Sequence, residues 1–110
     1  MATTSFRANV GIRAQETFSD PPVAIPLVTE AQNFVGAEGV TIFCLSTYAG
    51  VLTVNYIDLE GSASVLHEET IVADDLKVVN LSFRVPSFSV SFLPDAGASS
   101  DTITVEAYTY

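Results

Sequence analysis

Tryptophan is absent from this chain, and cysteine, histidine, lysine and methionine occur once each. A lone Cys44 closes no intrachain disulfide, and one Cys with one His (His67) falls short of the ligands that zinc takes. Four Lys and Arg stand against thirteen Asp and Glu, for a net charge of −9. That field repels nucleic acid and anionic membrane surfaces, so neither is an expected partner. No run of about 18 apolar residues is present, so no membrane-spanning helix is expected. The stretch Met1–Val10 has no apolar segment behind a basic start, which argues against a secretory signal there.

The patterns that carry common chemistry are missing too. There is no glycine-rich phosphate loop, no His-x-x-x-His pair and no Gly-x-Ser-x-Gly elbow. Carboxylates do pair along the chain, at Asp58/Glu60, Glu68/Glu69 and Asp74/Asp75. A glycosidase pair would need aromatic walls and a cleft, and a calcium loop would need a regular Asp-x-Asp-x-Asp-Gly spacing. Solvated surface acids explain these residues more simply. The expectation is a non-enzymatic protein with no cofactor and no metal.

What is abundant is strand-forming material. Val, Ile, Thr, Tyr and Phe dominate, while straight-chain helix formers are sparse. Phe6, Ala8, Val10 and Ile12 alternate with polar residues, which predicts a first strand. Val40, Ile42 and Cys44 alternate with Thr41, Phe43 and Leu45, apolar on both sides, which predicts a central or covered strand. After the break at Tyr48-Ala49-Gly50, the run Leu52, Val54, Tyr56 reads as its hairpin partner. Further strands are expected over 65–72, 76–85, 88–92 and 103–109. Seven or eight short strands in 110 residues predict a single all-β domain over 1–110, an antiparallel β-sandwich or small jelly roll.

The segment from Phe18 to Gly39 differs, because Pro21, Pro22 and Pro26 interrupt it. Proline fixes φ and removes a ladder donor, so residues 18–39 are expected to form an extended crossing or arm more than a regular ladder.

Charge and aromatic placement suggest where a partner would bind. Residues 14–75 hold ten acids and no Lys or Arg, whereas Arg7 and Arg13 stand in a first stretch without acids. This segment fits an acidic neighbour, including another copy of the chain. Tyr108 and Tyr110 near the C-terminus, and Phe18 and Phe34 in the proline-containing segment, are the aromatic candidates for the same surface. The expected protein–protein interface thus comprises Arg7, Arg13, Phe18, Phe34, Tyr108 and Tyr110.

From Ala49 to Tyr110 the chain runs Gly50-Val51-Leu52-Thr53-Val54-Asn55-Tyr56, then a Gly61-Ser62 turn. Past Val85-Pro86 come Phe88-Ser89-Val90-Ser91-Phe92 and Thr102-Ile103-Thr104-Val105-Glu106-Ala107-Tyr108. This cadence resembles the small β-sandwich structural proteins of tailed bacteriophages, among them capsid decoration (cement) proteins. The resemblance implies a virion protein on the capsid surface, made in the host cytoplasm. Its implied partners are the major capsid protein and further copies, as a dimer or trimer, with avidity and free strand edges holding them. Two other functions fit the residues: a receptor- or glycan-binding module of a tail or fibre, and a tail connector.

Overall fold

The computed structural model describes residues 11–32, 39–57, 60–82 and 87–109. They form eight strands and, among the described residues, no helix: β1 (Gly11–Phe18), β2 (Ile25–Gln32), β3 (Gly39–Ser46), β4 (Gly50–Ile57), β5 (Ala63–Ile71), β6 (Lys77–Ser82), β7 (Ser87–Pro94) and β8 (Asp101–Thr109). Two four-stranded antiparallel sheets result, sheet A in the order β1-β8-β3-β6 and sheet B in the order β2-β7-β4-β5. This is the strand order of an eight-stranded jelly roll.

Period-two alternation builds the core. Ile42 and Cys44 of β3, Val79 of β6 and Ile103, Val105 and Ala107 of β8 point inward from sheet A and are buried. Leu52 and Val54 of β4, Ile71 of β5 and Phe88, Val90 and Phe92 of β7 meet them from sheet B. Burial of each large apolar side chain contributes about 1.5–3 kcal/mol relative to exposure. Cys44 belongs to this set. Desolvation pushes its thiol up to about 12, so it packs as a small hydrophobe and not as a nucleophile.

Three expectations change. The run after Gly50 does pair in a sheet, but not with the preceding strand. β3 lies in sheet A and β4 in sheet B, and β4 forms a hairpin with β5 instead. The link between the two sheets is braced where Ser46 Oγ donates to the Tyr48 carbonyl at 2.6 Å and accepts from the Tyr48 amide at 3.1 Å. Secondly, the first strand is described from Gly11 onward and continues through Phe18, past the point where clean alternation ends; residues 1–10 lie outside the described residues. Its pairing with β8 carries it across Ala14 and Glu16, whose side chains give little periodic signal.

Thirdly, the proline-containing segment includes a regular ladder; its residues 33–38 lie outside the described residues. Ile25–Gln32 pairs with β7 as an edge strand, with register shifts between Pro26 and Val28 and between Val28 and Ala31. Proline is compatible with an edge position, where its missing N–H faces no neighbour. Upstream, the Asp20 amide donates to the Ala98 carbonyl at 3.0 Å and the Gly97 amide donates to Asp20 Oδ1 at 2.7 Å, tying the crossing to the β7–β8 loop.

The open flank between β5 and β6 is closed by charge. Glu69 sits opposite buried Leu52 and Lys77 opposite buried Cys44, so both occupy inward register positions on edge strands of different sheets. Lys77 Nζ lies 3.2 Å from Glu69 Oε2, and His67 Nε2 lies 2.8 Å from Glu69 Oε1. The hydrogen bond from His67, followed by that from Lys77, holds the Glu69 carboxyl below the ordinary value of 4.5. A depressed carboxyl contributes stability that is full above its unfolded value and is lost as pH falls through the folded one. Glu69→Gln is therefore expected to lower the melting temperature at pH 7 by about 1–5 °C. The gap to the unsubstituted protein should close as the pH drops below the ordinary carboxyl value of 4.5. A gap in thermal melts that stays constant from pH 7 to pH 3 would show that Glu69 acts through packing alone.

Candidate interaction surface

Strand register lays out the outer face of sheet A as a grid. One row reads Arg13, Glu106, Phe43, Val78 across β1, β8, β3 and β6. The next holds Gln15, Thr104 and Leu45, with Leu76 just ahead of β6; on the other side lie Tyr108, Thr41 and Asn80. The β3–β6 half is apolar and open: Leu45 is 46% exposed, Leu76 56% and Val78 45%. The β1–β8 half is polar. A groove of about 380 Å³ runs between them, lined by Arg13, Phe43, Leu45, Leu76, Thr104 and Glu106.

The polar half is a connected set. Arg13 Nε donates to Glu106 Oε2 at 3.2 Å, and the Tyr108 hydroxyl donates to Glu106 Oε1 at 3.0 Å. The hydrogen bond to Glu106 raises the Tyr108 phenol above its ordinary value, because ionisation would place two negative charges side by side. The Tyr108 ring meets Phe43 edge-on, with centroids 6.0 Å apart at 77°. Beside them, Thr41 Oγ1 donates to Asn80 Oδ1 at 2.7 Å. Among the described residues of this face, Arg13 and Glu106 are the only charged ones, so the face is locally neutral on a chain of net charge −9.

Of the six residues expected at an interface, two come together here. Arg13 and Tyr108 are joined through Glu106, which the sequence pattern did not single out. Arg13 has an acidic partner within its own chain, 93 residues away, and β1–β8 pairing supplies it. Phe18 is corrected: it is in the core, tilted at 59° against Phe92 with centroids 5.6 Å apart, because it ends β1 at an inward position. Arg7, Phe34 and Tyr110 lie outside the described residues.

The sequence pattern does not single out Phe43, Leu45, Leu76 and Val78 as surface. Its signal is that β3 is apolar on both sides, which predicts a central or covered strand. β3 is indeed central, between β8 and β6, yet its outer side stays exposed.

The acid pairs do not assemble. Asp58 lies outside the described residues, Glu60 is exposed in the β4–β5 turn, and Asp74 and Asp75 sit exposed in the β5–β6 loop. Among the described residues no three His, Cys, Asp or Glu side chains converge as metal ligands do.

An eight-stranded jelly roll with one half-apolar outer sheet face defines a class of architecture more than a chemistry. No family model matches the chain, and no curated protein matches it in sequence. Solved structures do match its fold. A crystal structure of PirA aligns over 89% of this chain and 93% of that one, with a TM-score of 0.58 at 6% identity. A protein of Bacillus endospore appendages, described as a family of disulfide-linked pili, aligns over 93% of this chain and 88% of that one, with a TM-score of 0.51 at 11% identity. At these identities the likeness is one of fold.

Proposed function

We propose that this protein is a non-enzymatic structural component of a phage particle, a decoration or cement protein that stabilises the shell by contacts with the major capsid protein and with further copies of itself. The observation that carries the reading is the outer face of sheet A: an apolar half beside a balanced Arg13–Glu106 pair, on a chain otherwise strongly acidic. Apolar centres with polar rims and few charges are the anatomy of protein–protein contacts. The resemblance of its cadence to small phage β-sandwich proteins supports a phage particle as the setting. The endospore-appendage protein, similar in fold and described as forming pili, lends support as a neighbour that assembles. Disulfide linkage like that named for those pili does not suit this chain, whose single cysteine is buried.

On this reading the shell is held by many weak contacts acting together, and the acidic remainder keeps decorated particles apart. The residues ahead of β1, with Arg7, are assigned to the shell contact. Purified empty shells of the particle encoded with this chain should bind the full-length protein in stoichiometric amount on a gradient and melt at higher temperature. Removing residues 1–10 should weaken that binding more than it lowers the melting temperature of the free protein. Shells that retain no more of it than of an unrelated acidic protein overturn the proposal.

The groove beside Tyr108 favours a second reading, a glycan-binding module, since aromatic edges and a carboxylate next to Arg suit sugar hydroxyls. Thermal stabilisation by host-surface oligosaccharides, without shell binding, would select it.

A further inference from the structure

Four strand edges flank this sandwich, and each carries a device that discourages pairing with another chain. β1 places Glu16 at an inward register position opposite Ile103, where it remains exposed. β2 has Pro26 and two register shifts. β5 has a register shift between Val54 and Asn55 and turns His67 and Glu69 inward, while β6 turns Lys77 inward. Prolines, bulges and inward charges are how edge strands resist edge-to-edge association. The free edges implied by the phage resemblance are thus blunted, and association is directed to a face.

We infer that two copies pair face to face through the outer surfaces of sheet A, about a two-fold axis lying in the contact plane, perpendicular to the strands, between the Phe43 and Leu45 rows. This deepens the proposed assembly role and rests on it only for its biological setting. The register grid decides the axis. Rotation about it lays β3 on β3 and exchanges the two central rows, so Phe43 meets Leu45 of the other copy and Val78 meets Leu76. The same rotation sets Glu106 against Thr104 and Arg13 against Gln15. Apolar residues meet apolar ones. The Glu106 carboxylate gains a hydroxyl donor and the Arg13 fork a side-chain amide acceptor. An axis along β3 would instead press Glu106 onto Val78, and one between β8 and β3 would press it onto Phe43, either way leaving a carboxylate on hydrocarbon.

Charge selects a second copy as the occupant. Two chains of net charge −9 repel wherever their acids face each other, and this surface balances its charges within itself. Of the Arg13 donors, Nε is directed to Glu106, and the guanidinium carries further donors in a fixed fork.

Size sets the strength. Four strands span about 19 Å and eight residues run about 26 Å, so the face offers on the order of 500 Å². A standard interface takes about 800 Å² from each partner. Pairing in solution is therefore weak and concentration-dependent, and becomes effective where copies are held close on a particle.

Sedimentation equilibrium of the full chain over about 10 µM to 1 mM tests this directly. The weight-average mass should rise from one chain towards two. Leu45→Glu, at an exposed position, should weaken the association more than about tenfold by placing a carboxylate in the apolar centre. Val65→Glu, exposed on sheet B, should leave it unchanged. Thr104→Arg, set opposite Glu106 of the other copy, should strengthen it. Melting curves confirm that each variant folds. A mass fixed at one chain across the range overturns the inference, as does equal weakening by Val65→Glu or loss of association in Thr104→Arg. Shell binding without pairing would refute this contact and leave the assembly role standing; pairing without shell binding would do the reverse.

Discussion

Phe92→Ala is expected to lower the unfolding free energy by about 3–5 kcal/mol, the range for deleting a buried aromatic side chain. Phe92 is the centre of the sandwich at its β7 side. It has no exposed surface, packs against Phe18 at 5.6 Å between ring centroids, and sits in register with Ile25 on one side and Leu52 on the other. Truncation leaves a hollow bounded by four strands, and the paired backbones of sheet B cannot collapse into it without breaking register. In a chain of this size the loss corresponds to a fall in melting temperature on the order of 15–25 °C. Chemical denaturation read by tyrosine fluorescence checks it. A loss under 1 kcal/mol would mean that neighbouring side chains refill the space.

Gly50→Ala is expected to destabilise almost as strongly, by about 2–3 kcal/mol, although it adds a single methyl group. A Cβ at Gly50 would lie 2.5 Å from the Leu93 carbonyl oxygen and 2.5 Å from Phe92 Cζ. The ring can tilt, but the carbonyl belongs to the β4–β7 ladder, where Gly50 faces Pro94 and Val51 faces Leu93. Relief would therefore displace the ladder itself. A double-mutant cycle separates the two obstacles. On a Phe92→Ala background the Gly50→Ala cost should shrink without vanishing, because the carbonyl remains. Strict additivity would show that the ring contributes nothing to the clash. Gly97 has a related reason for being glycine: its φ of +103° is left-handed, and a Cβ would stand 2.6 Å from the Tyr48 hydroxyl, which itself donates to the Ala96 carbonyl at 2.7 Å.

The interaction surface shows how legibility divides. Tyr108 and Arg13 were visible in sequence as an unusual aromatic and an unusual cation. Glu106 was not, since nothing local ties it to a residue 93 positions earlier; only β1–β8 pairing does. Phe43 and Leu45 are visible as apolar, which predicts a central or covered strand; β3 is central, and its outer side is open. Phe18 was misplaced for the converse reason. It stands next to a proline-rich crossing, where an aromatic looks surplus, and its inward direction follows from its place in the β1 ladder.

By itself the sequence determined the class of the protein. Alternation at period two, β-branched and aromatic composition and evenly spaced turns admit sheets covered on one side and little else, because a strand's side chains project to opposite faces whatever it pairs with. The scarcity of cations and soft ligands likewise set its electrostatics before any folding. Tertiary structure decided which strands are neighbours. β4 is the partner of β5 and β7 and not of β3, and a proline-containing segment joins a sheet at its edge. Pairing is settled by the joint burial of two sheet faces, a non-local sum that no short window contains. The same sum leaves the outer side of β3 uncovered, and there the chain is left with a face to offer a partner.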